Sequence, residues 1–439
     1  MATARGVVKL AVCGGKKAVP RMPADLTEWP VIGPEDEQAI LGVLHRRAMS
    51  SNDVTKQFEA EACKYFGAAH ALGYCNGTAS LLGAMWACGV AAGTEIIGPS
   101  LTYWASVMPA WSLGAGIVFA DCQADTLCLD PADIEHRITP RTRAIVCTHN
   151  YGHPCDMDAI MAVARKHGLK VIEDASHAQG GLYKGRMLGT IGDVGCMSLM
   201  TGKSLVAGEG GLLITNERLL WERAVAFGFY GRTGAGRYTG TQNEVSDPEL
   251  SRFRGLPLGG VKHRMCQWSA AMGRVQLKHY GKRIAEIQKA MNRFWDCLDG
   301  VPGLRAHRVA PDSGSTMGGW YFPMGLYRSE ELGGLPIETF CEAVTAEGVP
   351  TSPGANFPLH LHAVFHEADV YGHGRPTAVA LADRDVRQGP GSLPVSESVP
   401  RRVYKVPWLK HDRAQLIGKI AGAFRKVAEH ADQLLEKAR

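Results

Sequence analysis

Long hydrophobic runs are missing from the 439 residues, and no apolar stretch approaches the length that a membrane-spanning helix needs. Paired cysteines are missing too. The twelve cysteines fall singly, as at Cys13, Cys63, Cys75 and Cys88, with no C-x-x-C pair and no Cys/His set at zinc-site spacing. Several sit in apolar runs, Cys147 among them, where a reduced thiol packs as a small hydrophobe; this pattern points to a reducing cytoplasm. Charge of one sign is scarce. Lys and Arg number 48 against 43 Asp and Glu, a net of +5 spread along the chain, and a nucleic-acid binder would concentrate its basic residues on one face. With 45% hydrophobic and 21% charged residues, the chain is not a disordered or collagen-like one. No internal repeat is evident. A strand–GxGxxG–helix near the start is also absent, which argues against a nicotinamide dehydrogenase. Residues 1–22 carry five basic residues and no acidic one, yet they lack the apolar core and cleavage site of a signal peptide. Residues 1–34 are therefore expected to form an N-terminal arm.

Beyond the arm, Ile40, Leu41 and Leu44 stand at helical spacing after Pro34, a favoured helix-start residue. Residues 79–91 read as a second, apolar helix. Short apolar strands then alternate with helices: strands are expected at 95–98, 116–120, 143–147, 170–172 and 211–215. A helix is expected at 157–167, with Ile160, Met161, Val163 and Ala164 inward. That alternation predicts an α/β fold with a mostly parallel sheet. Residues 231–260, rich in Gly, Arg and Thr, read as a long loop. A long helix over 268–298 suits the joint between two domains. Beyond it, a strand is expected at 320–322 and a closing helix from Asp412.

Ligands in open α/β sheets bind beyond the carboxyl ends of the strands, and three segments place polar residues there. In Cys75-Asn76-Gly77-Thr78-Ala79-Ser80, Gly77 permits a tight turn. Thr78 and the free N–H groups of Gly77 and Ala79 could cradle an anion at a helix start, or Thr78 could simply cap the helix. In Val171-Ile172-Glu173-Asp174-Ala175-Ser176-His177, a strand delivers Asp174 toward a cationic nitrogen, or ends in acidic residues facing solvent. In Ser198 to Gly211, Lys203 stands among small residues before a Gly-rich turn. A desolvated amine there can form a Schiff base, although most lone lysines are solvated; Walker-loop spacing is missing. A phosphate cradle, a carboxylate and an amine together match the needs of pyridoxal phosphate.

These motifs, in this order, resemble the DegT/DnrJ/EryC1/StrS family of sugar aminotransferases. The resemblance implies the aspartate-aminotransferase fold (fold type I of pyridoxal-phosphate enzymes). It further implies a large cofactor-binding domain over 35–290, with a mostly parallel sheet flanked by helices, and a smaller α+β domain over 291–439. Lys203 is then the Schiff-base lysine and proton carrier, Asp174 the partner of the pyridine nitrogen and His177 a contact to the ring hydroxyl. Gly77, Thr78, Ala79 and Ser198 hold the phosphate, and Tyr103 in Pro99-Ser100-Leu101-Thr102-Tyr103 stacks on the ring. Loop packing is the competing role for Tyr103, and a structural cap the competing role for His177. In Gly260-Val261-Lys262-His263-Arg264, Lys262 stands where Asn is usual, so Lys262 or Arg264 would reach the phosphate of a neighbouring subunit in a homodimer. L-glutamate or L-glutamine is the implied donor and a keto-sugar or keto-cyclitol the acceptor, with His360 and Tyr230 as substrate-binding candidates. A metal site among His360, His362, His366 and Glu367 is not expected, because Pro358 interrupts any continuous ligand-bearing helix. A dehydratase of the family would carry His at position 203. A third reading is a binding or regulatory protein that kept the fold. No nucleic-acid or membrane partner is expected.

Overall fold

The computed structural model describes residues 8–234, 243–253 and 255–437. Residues 235–242 and 254 of the expected 231–260 loop lie outside that range; the rest of that segment includes a short helix at Pro248–Ser251.

The strands run β1 (His70–Tyr74), β2 (Glu95–Pro99), β3 (Gly116–Ala120), β4 (Thr142–Thr148), β5 (Lys170–Asp174), a small hairpin of β6 (Leu182–Tyr183) and β7 (Arg186–Met187), β8 (Val194–Ser198) and β9 (Gly211–Thr215). Seven of them form one sheet in the order β1-β9-β8-β5-β4-β2-β3. Pairs β2·β3, β2·β4, β4·β5 and β5·β8 are parallel, and only β9 runs against its neighbours β1 and β8. Their apolar residues are buried on both faces, which is why they read as continuous hydrophobic runs with no alternation. Every expected strand of this sheet is present; the sequence reading did not include β1 or β8. Helices α1 (Pro34–His45), α2 (Asp53–Phe66) and α3 (Gly77–Ala87) precede or follow the first strand. Leu41 and Leu44, two of the residues at helical spacing, are exposed; α1 buries Asp36 and Val43, and Asp36 accepts a 2.7 Å hydrogen bond from Gln276 on the long helix Gln267–Asp296.

A second, antiparallel sheet of β10 (Leu304–Ala306), β11 (Met324–Tyr327) and β12 (Val403–Lys405) lies beyond the long helix. Its core includes Phe340 and Phe424 from the helices Ile337–Ala346 and Ala414–Glu429. The N-terminal segment is not peripheral. Leu10, Val19 and Leu26 are buried in this same core, and the Glu347 carboxylate accepts from the Ala11 and Ala18 N–H groups at 2.7 and 2.9 Å. The strand expected at 320–322 is not one: Trp320 and Phe322 have φ of 54° and 53°, the left-handed region that bulky residues rarely adopt. The strand begins only at Met324.

The region expected as one small domain over 291–439 also divides. Leu359, Phe365, Ala378, Val386 and Leu393 belong to the core of the large sheet. The strap carrying them runs along the β3 edge. The Gln388 side-chain amide pairs with both the N–H and the carbonyl of Phe119, at 2.7 and 2.9 Å, covering an edge strand that would otherwise be unpaired. Asp121 holds the end of the strap, accepting from the N–H groups of Val395 and Ser396 at 3.0 and 2.7 Å and from the Ser396 hydroxyl at 2.6 Å. Replacing Asp121 by alanine would strand those buried donors. Asp121→Ala should therefore cost about 2–4 kcal/mol of stability in urea unfolding, whereas a change within about 0.5 kcal/mol would mean the strap is held by its apolar contacts alone.

Candidate active site

Because β1, β2, β4, β5 and β8 share a direction, their carboxyl ends meet at one edge of the sheet. The segments singled out in the sequence follow those ends. In register, Gly211 pairs with both Tyr74 and Ser198, and Asp174 pairs with Thr148 and Cys196.

The turn after β1 is held open by two glycines. A Cβ on Gly77 would lie 2.7 Å from Ser198 Cβ, and one on Gly211 would lie 2.2 Å from the Asn76 carbonyl oxygen. Neither approach admits a side chain. Asn76, rather than Thr78, caps α3, its Oδ1 accepting from the Ala79 N–H at 2.8 Å. Among the described residues the half-buried Thr78 hydroxyl has no partner, beside a helix N-terminus whose Gly77 packs on Ser198. That is a concave, donor-lined space of the kind a phosphate fills.

The alternation of β5 sends its two terminal carboxylates to opposite faces. Glu173 is fully buried and accepts from the N–H groups of Gly189, Ile191 and Gly192 at 2.8, 2.7 and 2.6 Å, with the His149 ring at 2.9 Å. It pins the following loop. Asp174, 5% exposed, faces the site. Its Oδ2 accepts from Ser106 Oγ at 2.7 Å and its Oδ1 from the Ser176 N–H at 3.1 Å, while Thr102 and Thr148 bond to Ser106 at 2.8 and 3.2 Å. The Ser176 hydroxyl in turn accepts from the Ser198 N–H at 2.9 Å, tying the carboxylate loop to the cradle. Neither acidic residue faces solvent.

Lys203 is 8% exposed. Its loop is fastened by Gln179, whose amide bonds Ser198 O, Ser204 Oγ and Leu205 N at 2.8, 2.9 and 2.8 Å. Among the described residues the amine has no hydrogen-bond acceptor; it lies 3.8 Å from the ring centroid of Tyr321. Burial pulls its pKa from 10.5 down to about 8, with the nearby Asp174 charge opposing. His177 packs between Tyr151 and Tyr321, with ring centroids at 6.0 and 4.6 Å. Burial, with the Lys203 charge beside it, holds the imidazole well below its ordinary pKa. Its Nδ1 accepts from the Tyr151 N–H at 3.4 Å, a long bond that leaves Nε2 as the donor of a neutral ring.

Burial raises the pKa of the Tyr321 phenol, and Tyr103, close enough to act on it, adds to that. Tyr103 is 55% exposed and touches Trp104. Lys262, Arg264 and Tyr230 line a small cavity with Ser51, Asn52 and Arg232, and Arg264 bridges Tyr74 at the end of β1. His360, expected as a substrate-binding candidate, lies in the strap. It is 1% exposed; its Nδ1 lies 2.7 Å from Ser100 Oγ and its Nε2 3.1 Å from Glu397, so both ring nitrogens serve to clamp the strap and none is offered to a substrate. His366 bonds the His360 carbonyl, and among the described residues no group of three or more His, Cys, Asp or Glu side chains is arranged for a metal ion. Ser106, Gln179 and Tyr321 escaped the sequence reading. Each is a single polar or aromatic residue in a loop, with no motif to mark it.

The model of the DegT/DnrJ/EryC1/StrS aminotransferase family matches residues 30–407. The chain belongs to this family. It is an aminotransferase chain of α/β type, similar to the L-glutamine:2-deoxy-scyllo-inosose aminotransferase of Streptoalloteichus tenebrarius, with 33% identity over 94% of this chain and 97% of the relative. The spore coat polysaccharide biosynthesis protein SpsC of Bacillus subtilis is also 33% identical, over 77% and 84%. Among solved structures, an aminotransferase from Psychrobacter cryohalolentis superposes with a TM-score of 0.77 at 28% identity, covering 93% of this chain and all of that one. Streptomyces venezuelae DesV, solved with a ketimine intermediate, gives 0.71 at 30% identity, covering 90% and 94%. The dry amine of the aminotransferase has a direct chemical consequence. Only neutral amine reacts with an acylating reagent, so competitive acetylation of Lys203 in the cofactor-free chain should rise with a midpoint near pH 8. A midpoint at the 10.5 of a solvated lysine would show the amine to be wet.

Proposed function

We propose that the chain transfers an amino group from L-glutamine or L-glutamate to a keto-cyclitol or keto-sugar, using pyridoxal phosphate held at the edge formed by β1, β5 and β8. The observation that carries this reading is the buried, acceptor-free Lys203 amine on the same sheet edge as Asp174 and the Gly77–Ser198 cradle. The residues present fit the group. A Cβ at Gly77 or Gly211 would drive apart the two sides of the cradle, and the half-buried Thr78 hydroxyl is available to an anion. Bound there, pyridoxal phosphate supplies a reactive aldehyde carbon and a ring that accepts electron density.

The protein's part is binding and proton handling. Thr78, Ser198 and the Gly77 N–H, at the N-terminus of α3, bind the phosphate, and the Ala79 N–H joins them only if it leaves the Asn76 cap. Asp174, held by Ser106 and the Ser176 N–H, faces the ring nitrogen and keeps its proton. His177 donates Nε2–H to the ring hydroxyl, and Tyr103 covers a ring face. Lys203 Nζ, neutral in a substantial fraction near pH 8, takes a proton from the substrate carbon and returns it on the other side of the transfer. Lys262 or Arg264, grouped with Tyr230 away from Lys203, would reach a phosphate in a second subunit, so the working unit is a homodimer. The relatives named for L-glutamine and scyllo-inosose derivatives favour a glutamine donor and a cyclitol acceptor. Lysine at position 203 speaks against the dehydratase reading. Twelve free cysteines support a reducing, cytoplasmic setting.

The test is optical. The purified chain mixed with pyridoxal phosphate should show a visible Schiff-base band that bleaches on adding L-glutamine, and Lys203→Ala should lose that band. Thr78→Val should weaken cofactor binding roughly tenfold through loss of one bond to a charged group. A chain that takes up no pyridoxal phosphate would move the weight to a binding or regulatory role.

A further inference from the structure

Lys203 is gripped at both ends by residues that lie outside the motifs of the site. At its backbone, the Trp29 indole N–H donates to the Lys203 carbonyl at 2.8 Å. At its amine, the Tyr321 ring lies 3.8 Å away. Tyr321 is itself placed by Trp408, whose indole N–H donates to the Gly319 carbonyl at 3.0 Å and whose ring stands edge-on to Tyr321 at 6.1 Å and 86°. Gly319 presses so closely on the lysine loop that a Cβ there would lie 1.9 Å from Ser204 Oγ.

Beside the two tryptophans, in reach of both rings, lies a second buried lysine. Lys410, 6% exposed, has its ammonium 4.2 Å from the Trp408 ring and 5.4 Å from the Trp29 ring, and donates to the Thr27 carbonyl at 2.6 Å. It has no carboxylate partner among the described residues, so indole faces and one carbonyl are all that offset its burial. Trp29 and Trp408 are 5.8 Å apart, centroid to centroid. A cation against aromatic rings is an attractive, oriented contact that strengthens when water is excluded; burial lowers the Lys410 pKa to about 8, so the contact carries its full charge below that pH.

We propose that Trp29, Lys410 and Trp408 form a cation–π clamp that positions Lys203, with Tyr321 as the cover over its amine. Segments from the two ends of the chain would thereby set how dry, and so how reactive, the lysine is. None of the four is a catalytic residue; they act through Lys203. The clamp rests on the reading of Lys203 as the reactive amine, and its test is independent of cofactor uptake.

The full-length chain, freed of cofactor, is labelled by competitive acetylation across pH, with the Lys203 peptide quantified by mass spectrometry. Asp174, His177 and the Tyr321 phenol, its pKa raised by burial, are the titratable groups that face the amine; the first two stay unchanged in every variant, and Tyr321→Phe separates the ring of Tyr321 from its phenol. Tyr321→Ala, which admits water, should raise the Lys203 midpoint by about one pH unit, slowing labelling about tenfold at pH 7. Tyr321→Phe, which keeps the ring, should restore the native midpoint. Lys410→Met and Trp29→Phe, which keep apolar volume but remove the cation and the indole donor, should raise it in the same direction. Circular dichroism checks that each variant is folded. A midpoint that stays at its native value in folded Tyr321→Ala, or that moves in neither Lys410→Met nor Trp29→Phe while only their melting temperatures fall, overturns the clamp. Pyridoxal-phosphate uptake by the native chain reports separately on the proposed function.

Discussion

Keeping a lysine amine away from both water and carboxylate oxygens is costly, and the upper edge of the large sheet is organised around that cost. A shift from 10.5 to about 8 corresponds to roughly 3 kcal/mol of stability withheld at neutral pH, where the unfolded chain's amine is fully protonated. The sign follows from the depressed value: stability falls as pH drops from 10.5 toward 8 and the penalty is complete below that. What offsets it is local and polar. Gln179 ties the lysine loop to Ser198, Ser204 and Leu205, and Tyr280 closes the same network on Ser204 at 2.7 Å. The amine is thus presented by a loop that has little freedom to carry it into solvent.

The same edge shows how a parallel sheet distributes work between neighbouring residues. Glu173 and Asp174 are adjacent acids with opposite duties because β5 alternates its side chains. Glu173 spends its oxygens on three backbone N–H groups and a histidine, and so fixes the loop at 189–192. Asp174 keeps a hydroxyl and a single N–H as donors, leaving it free to face a ligand. The antiparallel strand β9 has a comparable role. Its first residue, Gly211, pairs with the last residues of β1 and β8 and brings the cradle's two sides together.

Much of this was legible in the sequence because it is local. Strands buried on both faces read as apolar runs, and a glycine beside a polar residue at a strand end reads as a turn for an anion. Lys203, Asp174 and the Gly77 turn were visible for that reason. The alternative reading of Thr78 as the cap gives way to Asn76, two residues earlier, whose side chain accepts from the Ala79 N–H. The strand expected at 320–322 failed for another local reason. Its three aromatic residues have three separate destinations: Trp320 is buried in the second core, Tyr321 covers Lys203 and Phe322 is 46% exposed. Such a split requires left-handed backbone at both Trp320 and Phe322, and nothing in β-propensity signals it. Contacts between distant segments, such as Trp29 with Lys203 or Ser106 with Asp174, leave no period in a sequence.

His360 shows why a polar motif near a site is weak evidence for contact with a substrate. Its ring sits between Ser100, three residues before Tyr103, and Glu397 at the far end of the strap. The Asn356 N–H meanwhile bonds the Tyr151 hydroxyl at 3.0 Å, beside His177. The strap is therefore fastened to two of the loops that surround the site, while its middle is sealed onto β3 by Gln388. A histidine in this position stabilises the loop that bears Tyr103 by satisfying a buried hydroxyl. The N-terminal segment does the same for Lys203 from the opposite side. The two regions that look most accessory in the sequence, the leading segment and the histidine-rich strap, thus bear on the site by holding its loops, and the chemistry itself stays with residues at the strand ends.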